Sequence, residues 1–362
     1  MKKITVNLKE HKYDIIIKRG LLKHAGELIK DLEIGQKTCV ITNALIDKNY
    51  GNALRDSLNK EKIGFFFRLI EDSEKAKSAH LCLKVIKEIL KFEHRKGVFI
   101  TAFGGGVVGD VAGFIASIYK RGIPYIQIPT TLLAQIDSSI GGKTGVDLKE
   151  AKNLIGSFYQ PHLVLIDVSL LKSLSLRQMR SGLAEAIKYG IIKDSSILDY
   201  IDDYYPDILK GNEEIMEPLV YRCAKIKAEI VEMDEKEKYM IRTILNFGHT
   251  IGHALEAASD YRMYTHGEAI AIGMLVALMI GVKLGVNSFA LYERIKNLLR
   301  KIGLPVHIKN KIRINDIIKA YYYDKKFKDK ENRFVLVKGL EKPFVKENIP
   351  LKLIQQTINI HY

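Results

Sequence analysis

Cysteine is scarce in this chain, with three residues in 362, Cys39, Cys82 and Cys223. Their odd number, wide spacing and apolar or helical surroundings exclude a disulfide framework and fit a reduced cytoplasmic protein. Long apolar runs are also missing. The longest, Ala269 to Val282, covers 14 residues before Lys283 interrupts it, short of the roughly 20 that a membrane span requires. A buried helix is expected there, and no membrane partner. The N-terminal "MKKITVNLKEHKYDIIIKRG" has basic residues but lacks the apolar core of a signal peptide, so no export is expected. No internal repeat, low-complexity linker or recognised nucleic-acid-binding signature is present. The densest basic region, Lys309 to Arg333, includes Tyr321, Tyr322 and Tyr323, which could stack on bases. The basic residues are nevertheless spread along the whole chain, so nucleic acid is not expected as a partner.

What the chain does have is positive charge: 57 basic against 42 acidic residues, a formal +15. Such a surface attracts anions, and a small anionic substrate is the simplest expectation. With 47% apolar and 27% charged positions the chain can bury a sizeable core, and its length suggests two domains. Up to about residue 170, short β-branched runs alternate with amphipathic ones: "TCVIT", "GFFFRLI", a helix over Lys75 to Phe92, "GVFITAFGGG", "YIQIPTT". That rhythm predicts an α/β domain, residues 1–172. From about Leu176 nearly everything has helical period, including "LRQMRSGLAEAIKYGII", Glu213 to Met233 and "FGHTIGHALEAA". A mostly α-helical domain over 173–362 is expected.

Three stretches carry chemistry. In "FITAFGGGVVGDVAGF" a strand runs into Gly104, Gly105, Gly106 and Gly109 and then a helix. Gly104, Gly106 and Gly109 satisfy G-x-G-x-x-G, which lets a pyrophosphate approach the backbone at a helix N-terminus. The acidic residue that normally follows about 20 positions on is absent, since that region reads "YIQIPTT". A dinucleotide or plain helix-strand packing would both explain the glycines. In "NFGHTIGH", His249 and His253 share a helix face, and "YTHGEAIAIGM" adds His266. Thr250 follows His249, so the glutamate of a zinc protease motif is missing. Glu185 lies on an otherwise apolar helical stretch and needs a metal or a lysine as partner. Two histidines and a carboxylate leave an open position on a catalytic metal; histidines packing between helices are the plainer reading. Finally, "GGKTGVDLKEAKNLIGSF", Gly141 to Phe158, follows Asp137, Ser138 and Ser139 and is suited to holding an anion.

In order along the chain, "GGGVVGDVAGFIASIYKRG", "IPTTLLAQIDSSIGGKTGV", "KNLIGSFYQP", "SGLAEAIKYGII", "KAEIV" with "DEKE", "RTILNFGHTIGHALE", "THGEAIAIGM" and "DKK" resemble the 3-dehydroquinate synthase family of sugar phosphate cyclases. The resemblance implies an α/β domain that binds NAD+ and a helical domain that binds zinc, for which cobalt could substitute. It implies a lyase of the shikimate pathway to chorismate and the aromatic amino acids. Such an enzyme converts 3-deoxy-D-arabino-heptulosonate 7-phosphate to 3-dehydroquinate and phosphate, by NAD-mediated oxidation, β-elimination, reduction and intramolecular aldol closure.

Carried over residue by residue, the resemblance assigns the metal to Glu185, His249 and His266, and proton transfer to His253. Cofactor contacts fall on Asn43, Glu74, Lys77, Gly105, Gly106, Val107, Asp110, Thr130 and Thr131, with Asp137, Lys143 and Lys152 close to both ligands. Lys143, Lys152, Asn153, Lys188, Lys227, Arg242, Asn246, Asp137 and Lys325 or Lys326 would face a phosphorylated sugar acid, with Glu237 as a supporting acid-base group. Arg121 would reach the site of a second subunit in a homodimer. This chain departs from the family in three places. Asp147 stands where asparagine is usual, before the divergent "DLKEA". One extra residue separates Glu237 from Arg242. The segment after "DKK" reads "FKDKENRF" rather than a glycine-containing hairpin.

Overall fold

The computed structural model describes residues 1–93, 97–148, 152–309, 311–323 and 332–362. Its contacts divide the chain into two compact units: Met1–Leu174 with Gly211–Lys236, and Ser175–Lys210 with Glu237–Tyr362. A single break between 172 and 173 does not describe this path. The long helix Glu213–Met233 returns to the first unit, where it packs on the first two strands.

The first unit is built on a seven-stranded sheet. Its strands are β1 (Lys2–Asn7), β2 (Lys12–Lys18), β3 (Lys37–Thr42), β4 (Gly64–Leu69), β5 (Val98–Gly104), β6 (Tyr125–Pro129) and β9 (Leu163–Asp167). The spatial order is β1-β2-β9-β6-β5-β3-β4. Only β1 runs antiparallel to its neighbour. A parallel strand covered on both faces must be apolar throughout, and "VFITAFG" of β5 is buried at every position. Successive side chains point to opposite faces. On β3, Cys39 and Ile41 join the core formed with the helices Ala79–Glu93 and Gly106–Ile118, whereas Val40 joins the core on the other face with Leu54, Leu58 and Ile29. Helices therefore cover both faces, as the alternating pattern predicts.

Two short strands, β7 (Lys143–Val146) and β8 (Ile155–Phe158), form a separate antiparallel hairpin with Gly145 opposite Gly156. The stretch from Gly141 to Phe158 thus contains two paired strands.

The second unit is mainly helical: Leu176–Ile192, Ser196–Leu209, His249–Ala258, His266–Lys283, Phe289–Lys301, Ile314–Tyr323 and Leu351–Ile360. A hairpin of β10 (Arg333–Val337) and β11 (Pro343–Glu347) joins them. The helix His266–Lys283 is long and apolar enough to cross a membrane by composition, yet 78% of it is buried. It is the buried helix expected from its uninterrupted apolar run.

Candidate active site

In the first unit the chain passes from β3 outward to β4, then returns to the other side of β3 as β5. The order of the sheet reverses at that point, and the carboxyl ends of the two strands open a crevice where ligands of such sheets bind. The residues expected at a cofactor lie along this edge. Asn43 follows β3 and caps the next turn, its Oδ1 accepting the Ile46 N–H at 2.9 Å. Gly105, Gly106, Val107 and Asp110 follow β5, and Thr130 and Thr131 follow β6. The Thr130 N–H donates to the Gly104 carbonyl at 3.0 Å, which ties the two strand ends together.

The helix Gly106–Ile118 begins at Gly105 with no side-chain cap and no acid in its first turn, so its free N–H groups suit an anion. A Cβ on Gly105 would stand 3.1 Å from Thr131 Cγ2, and one on Gly106 3.2 Å from Ser138 Oγ. Thr42, Thr130 and Ser138 each carry a buried hydroxyl that lacks a hydrogen-bond partner among the described residues. Thr42 and Ser138 were not expected from the sequence. Their hydroxyls, the bare helix start and the strand crevice together fit a polar dinucleotide.

Beyond β4, Lys77 is 4% exposed and donates to Asp110 Oδ2 at 2.8 Å. Burial pushes the Asp110 carboxyl up, and the adjacent ammonium only partly offsets this, leaving it at about 6. Lys77 also bonds Asn153, and Lys152 Nζ is 3.4 Å from Glu74 Oε2. Asp137 forms an ion pair with Lys227 of the helix Glu213–Met233. Lys143 is exposed at the start of β7. Arg121 is apart from these groups, past the far end of a 13-residue helix, about 20 Å along its axis. Lys120 and Arg121 both have positive φ, 52° and 67°.

In the second unit, three segments converge on Glu185. This residue is fully buried on the helix Leu176–Ile192. His266 is the first residue of its helix, fixed by a capping box in which Thr265 and Glu268 exchange side-chain-to-backbone bonds. The adjacent Gly267 lies so near Ser181 that its N–H donates to Ser181 Oγ at 3.0 Å, one turn before Glu185. At the other crossing, Gly248 takes φ 80° as the N-cap of the helix His249–Ala258. A Cβ on Gly273 would lie only 2.0 Å from the Gly248 carbonyl oxygen. Glycines thus let these helices close around the carboxylate.

His249 Nε2 and His266 Nε2 stand 3.6 and 3.5 Å from Glu185 Oε1, and the candidate ligand atoms of the three residues lie within 4.8 Å of one another. Lys188 ion-pairs with the carboxylate, yet neither oxygen accepts a well-formed hydrogen bond. This set of two imidazoles and a carboxylate, buried at Glu185 and His249 and half-buried at His266, fits one divalent metal with room for a further ligand. Burial alone would raise the Glu185 carboxyl, but Lys188 and His266 hold it at about 2. Burial, with Lys188 nearby, drives His249 far below its ordinary value, giving the neutral ring a metal requires. Burial would lower His266 too, but Glu185 and Glu256 raise it to about 10. Metal binding would displace that proton.

Two orienting groups were missed from the sequence. Glu256 Oε2 is 3.5 Å from His266 Nδ1, and the Phe247 carbonyl is 3.1 Å from His249 Nδ1. Each turns Nε2 toward the centre. Glu256 is the acid of "GHALE", three residues after His253, a helical spacing that could have flagged it. His253, Glu256 and His266 form a second, shallower cluster, and the His253 ring centre is 5.3 Å from that of His249. Arg242, 2% exposed, has Nε 3.5 Å from Glu237 Oε1, and Asn246 ends the turn leading to His249. Lys325 and Lys326 lie outside the described residues.

Solved structures share this fold. A 2-epi-5-epi-valiolone synthase from Streptomyces hygroscopicus subsp. jinggangensis 5008, with NAD+ and Zn2+ bound, superposes with a TM-score of 0.89 at 26% identity, covering 98% of each chain. A 2-deoxy-scyllo-inosose synthase complexed with carbaglucose-6-phosphate, NAD+ and Co2+ shares the fold, with a TM-score of 0.91 at 24% identity over 100% of each chain. Sheet topology and helical unit are those of the sugar phosphate cyclase class. Residues 67–181 match the 3-dehydroquinate synthase N-terminal family and 182–327 its C-terminal family. A 3-dehydroquinate synthase of Thermodesulfovibrio yellowstonii is 42% identical over 99% of this chain and 100% of its own. The chain belongs to the 3-dehydroquinate synthase family.

Proposed function

We propose that this chain is a lyase that converts 3-deoxy-D-arabino-heptulosonate 7-phosphate to 3-dehydroquinate and phosphate, in the route to the aromatic amino acids. The observation that carries this reading over simple alcohol oxidation is that each unit buries cations. Lys188, Lys227 and Arg242 are 1%, 7% and 2% exposed, and Lys188 adjoins the metal set on the same helix. A neutral polyol requires none of them, whereas a carboxylate and a phosphate require several.

The first unit supplies Asn43, Glu74, Lys77, Asp110, Thr130, Thr131 and the glycine turn for the dinucleotide. The second supplies Glu185, His249 and His266 for the metal. When bound, the dinucleotide takes up and returns a hydride, and the metal polarises the oxygen at the carbon being oxidised. The remaining work falls to the chain itself. Glu256 and the Phe247 carbonyl hold the two rings in the tautomer that presents Nε2. His253, outside the ligand set, moves the hydroxyl proton. Lys152, Asn153, Lys188, Lys227 and Arg242 grip the anionic groups, and Lys143 balances the charge of the departing phosphate. Glu237 orients Arg242, and Asp137 does the same for Lys227. Arg121, exposed on a left-handed turn, serves the site of a second copy in a two-fold dimer. The enzyme works in the cytoplasm, where its three buried thiols stay reduced.

The test supplies the phosphorylated heptulosonate with zinc and a small amount of NAD+. Phosphate and a cyclic product should appear with no net build-up of reduced cofactor. A chelator should stop turnover, and zinc or cobalt should restore it. Stoichiometric reduced cofactor would make the chain a dehydrogenase, and full activity in a verified metal-free sample would remove the metal from the reading.

A further inference from the structure

Asp147, Lys152 and Asn153, between β7 and β8, are tied to the segment after β4. The Asp147 N–H donates to the Lys77 carbonyl at 2.7 Å. Its Oδ1 accepts the Asn153 N–H, also at 2.7 Å. Asn153 has φ 51°, a left-handed conformation that a residue other than glycine keeps only when its surroundings hold it. The Asn153 side chain in turn accepts from Lys77 Nζ, which also binds Asp110. Lys152, next in the chain, leans on Glu74 at 3.4 Å. Asp147, Lys152 and Asn153, the Glu74–Lys77 segment and the first turns after Gly105 are thereby joined.

We propose that Asp147 is a positioning residue: by accepting the Asn153 N–H with its carboxylate, it presets Lys152 and Asn153 for the anionic groups of the substrate. This rests on the cyclase reading given above. Asp147 has two features that could matter, an oxygen that accepts the Asn153 N–H and a charge 4.0 Å from Lys77 Nζ. The acceptor is the one that matters. Lys77 already has Asp110 at 2.8 Å, and asparagine in place of Asp147 would keep the acceptor while removing the charge. The bond to Asn153 has no such substitute, because the backbone of a left-handed residue offers its N–H in only one direction.

The experiment compares full-length wild-type protein with the Asp147→Ala and Asp147→Asn variants, each saturated with NAD+ and zinc. Losing a backbone hydrogen bond to a carboxylate should raise the KM for the phosphorylated substrate about tenfold in Asp147→Ala. The kcat should fall less, while NAD+ affinity by calorimetry and zinc content stay at wild-type values. Asp147→Asn should restore KM. Trypsin should cut after Lys152 faster in Asp147→Ala than in Asp147→Asn or wild type, a readout independent of turnover. If Asp147→Ala fails to fold, Asp147→Ser replaces it, since its hydroxyl stops one atom short of Asn153. Unchanged KM and unchanged cleavage after Lys152 would overturn the proposal. So would an asparagine variant as poor as alanine, or a parallel fall in NAD+ affinity, zinc content and melting temperature. Should wild type form no cyclic product, the cyclase reading fails, and the trypsin comparison still decides whether Asp147 holds Lys152 and Asn153.

Discussion

Gly267 is where the second unit tolerates least. A Cβ added there would lie 2.0 Å from the Ser181 oxygen, 2.5 Å from its Cα and 2.6 Å from its carbonyl carbon, all backbone atoms. No rotamer change relieves contacts with backbone. In Gly267→Ala the start of the His266–Lys283 helix must move off the Leu176–Ile192 helix by about 1 Å to regain ordinary contact distances. Overpacking of this kind costs about 1–3 kcal/mol, here at the upper end, so the melting temperature should fall by roughly 5–10 °C.

The same movement carries His266 away from Glu185, and metal-ligand distances tolerate only about 0.2 Å. Zinc affinity should therefore drop more than about tenfold, a loss typical of misplaced ligands. Gly339→Ala is the control, because nothing lies within 4 Å of its added carbon. Thermal denaturation of the metal-free proteins and zinc competition against a chromophoric chelator read the two effects separately. A Gly267→Ala protein with wild-type zinc affinity and melting temperature would refute the argument that this glycine sets the distance between the two ligands.

Two further outcomes follow from groups elsewhere. His361 is 1% exposed, with Nδ1 2.9 Å from the Thr357 carbonyl and Nε2 3.2 Å from the Tyr292 hydroxyl, and burial lowers it to about 4. The unfolded chain, with histidine near 6.5, binds this proton first, so stability is fully present above that value and is lost as pH falls toward 4. Urea unfolding should show a loss of about 2 kcal/mol between pH 7 and pH 5 that His361→Phe lacks, and equal losses in both proteins would count against it. The proposal that Arg121 serves a second subunit is tested by mixing Arg121→Ala and His266→Ala chains, each expected to be inactive alone. About half of randomly paired dimers are mixed with one intact site each, so recovery should reach about a quarter of wild-type activity. No recovery, with subunit exchange shown independently, rules out sharing.

The α/β character of the first unit was legible because its buried strands and amphipathic helices differ in period, and the glycine turn because it sits where one period changes to the other. The β7–β8 hairpin was not. "KTGV" and "IGSF" are short and lack alternation, and their glycines invite a ligand-binding interpretation, whereas Gly145 and Gly156 allow two backbones to meet. The helix Glu213–Met233 shows the same limit. Its periodicity marks an apolar face but does not say which unit covers that face. Glu185 announced itself as a charge in an apolar helix and spacing paired His249 with His253, whereas the choice of His249 and His266 beside Glu185 came from the family resemblance. Glu256 did not announce itself, because its role depends on His266, which another helix delivers.

The chain crosses between its units after Leu174, after Lys210 and after Lys236. During synthesis, residues 1–174 leave the ribosome with every strand of the main sheet but without the helix that closes over β1 and β2. Lys2 must wait for the ring of Tyr221, and the β1 backbone at Asn7 for the carboxylate of Glu232. The first unit is therefore finished only after the first two helices of the second have been made. A gene fragment ending at residue 174 would release an open-faced sheet prone to aggregate, and neither unit can be exchanged with a relative's by a single recombination.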